Sequence, residues 1–177
     1  VSGSSPDAST SQAALIARGK YLVDITGCSD CHTPWNVING VRQPDETLSL
    51  SGHPEATSAA TAPNVATPAA PWTVSVRTLQ KTGWSGAWGL SYAVNLTPDP
   101  DTGWLEGLSD KDFINVMRTG KDYSTQRVLS LPMLYVTWRI AKATDDDLKA
   151  MFAYLRSLKP MKNKVPDYVP PPPDAGT

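Results

Sequence analysis

The chain has 177 residues and a formal net charge of -1; that length suits one cored domain rather than two, and the charge supplies no basic stripe for a phosphate backbone, which excludes nucleic acid as a partner. No apolar run approaches the ~18 residues of a membrane span, and the first residues are not a charged and then apolar leader. Sixteen prolines and twelve glycines against two phenylalanines imply much loop, with six tryptophans and any buried prosthetic group left to fill the core.

Residues 1–10, VSGSSPDAST, are small and polar and read as a flexible lead-in. A first helix is predicted from about Ser11 to Thr26, with Leu15, Gly19 and Leu22 on one face, leading into Cys28. Gly19 is costly inside a helix, which implies that another backbone packs closely there. From Asn36 to Thr102 turn residues dominate and only TVSVRTL alternates as a strand would, so this stretch is expected to be mostly irregular with at most a small hairpin. A second helix starts at Ser109 with Asp112 completing a capping box and ends at Gly120. A short turn of helix falls around Tyr135 to Ala141. The last helix starts at Thr144 with Asp147 as its box partner, and Leu148, Met151, Phe152, Leu155 and Leu158 form its apolar stripe before Pro160 stops it. Residues 166–177 are proline-rich and expected to be extended or disordered.

The chemistry is concentrated in GCSDCHTPW, residues 27–35, which holds both cysteines and one of the two histidines. A structural zinc site needs four ligands, and only His53 or a carboxylate could join Cys28, Cys31 and His32. A thioredoxin-like dithiol belongs at a strand-to-helix junction in an alternating α/β pattern, which this chain lacks. A disulfide across two residues closes a small loop and stabilises little. Cys-x-x-Cys-His is also the spacing of c-type haem attachment, which uses all three residues: two thioethers, and His32 as an iron ligand. The second ring nitrogen of His32 should then donate to a backbone carbonyl, expected from the Pro34–Pro44 loop. Of four methionines, Met117 and Met151 lie on core stripes and Met161 among lysines, whereas Met133 sits in the proline-stiffened LSLPMLYVTW. Met133 is the candidate second iron ligand, with His53 as its competitor. Asp99–Gly103, DPDTG, places two carboxylates in a turn but lacks the ligand set of a calcium loop.

RGKYLVDITGCSDCHT, NLTPDPDTGW, FINVMRTGK, LPM and TDDDLKAMFAYLRSLKPMKNKVP follow one another in an order that resembles bacterial monohaem class I cytochromes c. They are similar to the haem domains that serve as electron-transfer subunits of periplasmic alcohol and aldehyde-type dehydrogenases. The resemblance implies an all-α fold over residues 11–165, with crossed first and last helices around one haem and a long irregular insert at about 36–102. At the crossing Gly19 would meet Tyr154, with Leu22, Met151 and Leu155 around it. It further implies that NLTPD lies across the haem edge, making Asn95 and Trp104 candidate hydrogen-bond donors to the propionates, with Arg118 also facing one. Two features depart from the pattern: Leu134 rather than proline follows Met133, and residues 57–89, with Trp72, Trp84 and Trp88, form a long insert.

The function expected is that of an electron carrier rather than an enzyme: one covalent haem c, ligated by His32 and Met133, exchanging electrons with a dehydrogenase, another cytochrome or a terminal oxidase. A haem enzyme or ligand sensor, peroxidase-like with an open sixth iron position, is the alternative that Leu134 and the tryptophan-rich insert suggest; a dithiol oxidoreductase is the third. Haem is attached to this motif outside the bacterial cytoplasm, so the expected location is the periplasm or outer cell surface. The polar start at Val1 is what removal of a signal or lipoprotein leader would leave, the latter with a lipid anchor.

Overall fold

The computed structural model describes residues 8–55 and 75–171. The lead-in before residue 8, the insert between 56 and 74 with Trp72, and the tail after 171 lie outside the described residues. In chain order the elements are α1 (Ala8–Ile25), α2 (Cys28–His32), β1 (Trp35–Ile38), β2 (Val41–Pro44), a 3-10 turn (Glu46–Leu48), β3 (Val76–Arg77), β4 (Gly83–Gly86), β5 (Gly89–Tyr92), α3 (Asp110–Thr119), α4 (Met133–Ile140) and α5 (Asp145–Arg156).

α1 and α5 cross at Gly19. A methyl group built on its α-carbon would run into the Ala150 carbonyl and stand 2.8 Å from Tyr154 Cβ. The glycine thus lets two helix backbones touch, and Leu22, Val23, Met151 and Leu155 close around the contact as buried core. α3 joins them through Phe113, whose ring stacks on Phe152 of α5 at 5.1 Å. Its ends are set locally: Ser109 and Asp112 exchange both bonds of a capping box, and Gly120 takes a left-handed φ of 65°. Thr144 caps α5 by accepting from the Asp147 N–H, and three aspartates fill the first turn, where the helix dipole favours them.

The fold is not all-α. Among the described residues five strands form two antiparallel sheets, ordered β1–β2 and β3–β4–β5, and they fall almost wholly within the stretch that reads in sequence as an irregular insert. The first hairpin closes on Asn39 and Gly40 at φ 53° and 78°, the two-residue turn whose twist matches paired strands. The second pairs Gly83–Gly86 with Gly89–Tyr92. Its strands are too short and glycine-rich to show alternation, and they are held from outside: Leu90 and Val169 exchange backbone bonds of 2.8 and 2.9 Å, while Tyr168 donates its hydroxyl to the Trp88 carbonyl at 2.6 Å. The proline-rich segment up to Pro171 therefore lies extended along β5.

Residues 50–53 run beside 93–96, with the Leu96 N–H on the Leu50 carbonyl and the His53 N–H on the Ala93 carbonyl, both at 2.9 Å. This pairing carries the chain from α2 to the segment that faces it.

Gly19→Ala separates helix propensity from packing. Alanine in a helix interior gains about 1 kcal/mol over glycine, whereas forcing a methyl into a filled contact costs about 1–3 kcal/mol. Because the obstacle is backbone, the clash should win, and urea unfolding should show Gly19→Ala less stable than the parent.

Candidate functional site

The site begins where α1 ends. Thr26 donates its hydroxyl to the Leu22 carbonyl at 2.7 Å, and Gly27 at φ 73° turns the chain into the single helical turn α2. Cys28, Cys31 and His32 stand at i, i+3 and i+4 on that turn, so they share a face, and all three line one cleft. Both cysteines are free. Burial pushes the Cys28 thiol above its ordinary value, outweighing the hydrogen bond it shares with Thr26; burial, then the Asp30 charge, pushes Cys31 up as well. Thiols held protonated are the reverse of a reactive dithiol, which needs a lowered pKa.

His32 is buried, and its Nδ1 lies 2.8 Å from the Val94 carbonyl. A carbonyl only accepts, so Nδ1 carries the proton and Nε2 keeps its lone pair. Burial lowers the imidazole pKa against the opposing bond to Val94, which favours the neutral ring a metal needs. The acceptor is not in the Pro34–Pro44 loop, as sequence proximity suggested, but lies 62 residues on. The His32 carbonyl in turn accepts from Gly52 N–H at 2.8 Å, so backbone and ring are both fixed.

The cleft encloses about 1090 Å³ of empty space, its open mouth included, and its walls are chiefly apolar. Val94, Leu96 and Trp104 form one part; Phe113, Val116 and Met117 come from α3; Met133, Val136 and Ile140 come from α4; Met151 and Leu155 come from α5. Trp84 of β4 and Tyr92 of β5 add to the lining. Two thiols and an imidazole bearing a free lone pair, set in an apolar cleft with the thioethers of Met117, Met133 and Met151 among its walls, fit the donor set of a covalently held haem.

Of the residues nominated from sequence, the cleft brings together Cys28, Cys31, His32, Met133 and Trp104. Met133 is the first residue of α4. The Trp104 indole N–H donates to the Asp122 carboxylate at 3.3 Å. Asn95 is buried behind this wall rather than on it: its amide donates to the Met161 carbonyl at 2.8 Å and its oxygen accepts from the Thr97 N–H and hydroxyl. Arg118 is also away from the cleft, paired with Asp145 at 2.6 Å and bonded to the Ala141 carbonyl. His53 is buried elsewhere, with Nδ1 2.8 Å from the Thr82 hydroxyl and its ring 4.6 Å from that of Tyr92. The Asp99 turn is closed on itself: Asp99 accepts from Asp101 and Thr102, and Asp101 pairs with Lys162 at 3.2 Å. Among the described residues no three His, Cys, Asp or Glu side chains converge as a metal site of their own.

Two charged lining residues escaped sequence reasoning. Asp122 accepts from the Ser124 and Thr125 hydroxyls and the Thr125 N–H. Arg127 bonds the Val128 carbonyl and Ser130 hydroxyl at 3.0 and 3.1 Å and lies 4.0 Å over the Tyr168 ring. Neither belongs to a motif; the one signal was D-x-S/T hydroxyl spacing after Asp122, which marks a self-closing turn.

No protein-family model matches the chain. One protein aligns with it over 159 residues at 28% identity: the cytochrome c subunit of alcohol dehydrogenase (quinone) from Gluconobacter oxydans (strain 621H). The chain is similar to a cytochrome c subunit. The alignment covers 87% of the chain and 24% of that protein, so the chain spans about a quarter of the relative's length. The likeness supports a cytochrome c-like relationship. Among the described residues no helix is long and apolar enough to cross a membrane.

Asp122 yields a pH prediction. Burial alone would raise its carboxyl, but the Thr125 N–H, the Ser124 and Thr125 hydroxyls and the Trp104 indole outweigh it and hold the pKa at about 2. A depressed carboxylate stabilises the fold above its unfolded pKa of about 4, and this is lost as pH falls toward about 2. Asp122→Asn should cost about 1–2 kcal/mol at neutral pH, allowing for solvent screening. Urea unfolding of parent and variant across the acid range should show the gap closing as pH falls.

Proposed function

We propose that this chain is an electron carrier holding one haem c, with Cys28 and Cys31 as thioether donors and His32 and Met133 as the iron ligands. The observation that carries the reading is the single turn that sets both thiols and the Nε2-bare imidazole on the wall of an apolar cleft that Met133 also lines. When bound, the haem supplies a one-electron couple. The protein's own work is to hold and tune it. The Val94 carbonyl fixes the His32 tautomer and raises ring basicity; the apolar walls would shield the group from water; and the Met133 sulfur would favour the reduced metal. The role proposed is transfer rather than catalysis. The partner is a redox protein, such as a dehydrogenase, another cytochrome or an oxidase, and the location is the periplasm or outer surface, where such haem is attached.

Expression in a host with haem-attachment machinery should give a chain whose mass rises by one haem. Cys28→Ser with Cys31→Ser should lose the covalent mass; a parent that never acquires it overturns the proposal. Met133→Ala should keep the haem, lose the methionine-to-iron charge-transfer band, fall in potential and bind carbon monoxide rapidly. Met117→Leu and Met151→Leu, near volume-conserving core changes, should leave the spectrum intact at under about 1.5 kcal/mol each. If Met133→Ala keeps the parent spectrum while His53→Ala changes it, the second ligand is His53. If the parent itself binds carbon monoxide rapidly, the sixth position is open, as in a sensor or peroxidase-like protein.

A further inference from the structure

α4 has two faces. Met133, Val136, Thr137 and Ile140 fall at i, i+3, i+4 and i+7 and turn inward, where three of them line the cleft and Thr137 and Ile140 are buried. Tyr135, Trp138 and Arg139 repeat the same spacing on the outside, Lys142 follows in the turn after the helix, and all four are exposed. Tyr135 and Trp138 are 54% and 59% exposed, with ring centroids 5.3 Å apart, edge to face. Two large aromatic rings in water beside two cations are the residue types that dominate binding energy at interfaces.

The charge around them is unspent. From Tyr123 to Thr144 the sequence holds Arg127, Arg139 and Lys142 and no carboxylate. The aspartates that open α5 next to this stretch are each engaged within the chain: Asp145 with Arg118, Asp146 with Lys149 and Asp147 with Arg18. Among the described residues neither Arg139 nor Lys142 has an ion pair. We infer that the outer face of α4, centred on Tyr135 and Trp138 and flanked by Arg139 and Lys142, is the docking surface for a redox protein with an acidic surface. This rests on the carrier reading and adds the place of contact and the partner's charge.

Size and symmetry favour that occupant over a second copy. The exposed halves of two aromatic rings amount to on the order of 200 Å², a fair apolar centre for a weak redox contact of about 600 Å² a side but a small one for an obligate dimer. A two-fold dimer would also bring Arg139 and Lys142 toward their own copies, a like-charge penalty. A partner seated on α4 is separated from the cleft by one helix, about 10–12 Å thick, which suits a transient electron-transfer contact.

The full chain, titrated with flavodoxin as an acidic redox protein and followed by biolayer interferometry, should bind saturably at low ionic strength and lose affinity as salt screens the contact. Arg139→Glu with Lys142→Glu should weaken binding about tenfold or more, and Trp138→Ser by about fivefold or more. Arg139→Lys should retain it, and Lys111→Glu on α3 should leave it within about twofold. Thermal melts of each variant matching the parent exclude unfolding as the cause. Absence of saturable binding, salt independence, or variants binding like the parent overturns the inference. So does sedimentation showing a parent dimer that Trp138→Ser abolishes, or binding to phosphatidylglycerol vesicles that exceeds binding to flavodoxin and is lost in the same variants. Binding is read on the chain as expressed with haem-attachment machinery, from mass on the sensor and not from the haem spectrum, so this result and the haem-attachment result stand or fall separately.

Discussion

Everything in this protein hangs on the contact between Gly19 and the Ala150 carbonyl. Because the two backbones touch there, α1 and α5 approach more closely than side chains would otherwise allow, and Leu22, Val23, Met151 and Leu155 seal the contact. The consequence reaches both ends of the site. α1 delivers Cys28 through Thr26 and Gly27, while α5 brings Met151 and Leu155 to the cleft wall. A shift at the crossing would move the thiols against the wall they share.

A second constraint is polar. Asn95 ties residues 95–97 to Met161, the Asn163 amide donates to the Ser51 and His53 carbonyls at 2.7 and 2.9 Å, and residues 50–53 pair with 93–96. Three distant stretches are thereby locked together, and the product is one carbonyl, that of Val94, standing 2.8 Å from His32 Nδ1. Asn95, nominated from sequence for a bond to the cofactor, spends its hydrogen bonds on this framework. Buried amides that are fully paired in this way specify one arrangement rather than several.

What could be read from the sequence was local. The Ser109–Asp112 box and the Gly120 stop involve residues three or four apart and appear with their bonds in place; Thr144 caps α5, but Asp147, expected as its box partner, turns its carboxylate to Arg18 instead. The closeness of a second backbone at Gly19 was legible because a helix tolerates such a cost only for packing. The two sheets were not legible as a class. Strands of two to four residues give no periodicity, and β5 is held by Val169, some eighty residues away. TVSVRTL, the one stretch read as a strand, holds β3, and Asn39–Gly40 was a further available sign of a hairpin. The same distance effect separates Arg118 from Arg127: in sequence both are lone cations, but the last turn of α3 directs Arg118 to Asp145, while the loop before α4 leaves Arg127 on the cleft.

The pairing of Val169 with Leu90 bears on how the chain behaves in a crowd. β5 is the outer strand of its sheet, and an outer strand offers unpaired N–H and carbonyl groups to any passing chain. Here the Leu90 donor and acceptor are both taken by Val169, and the residues that follow, Pro170 and Pro171, bring no N–H with which to extend a ladder. Gly89 lets this strap lie flush, since a side chain there would strike the Val169 carbonyl. The proline-rich strap thus works as a guard rail for the sheet, closing to strangers an edge that would otherwise recruit them.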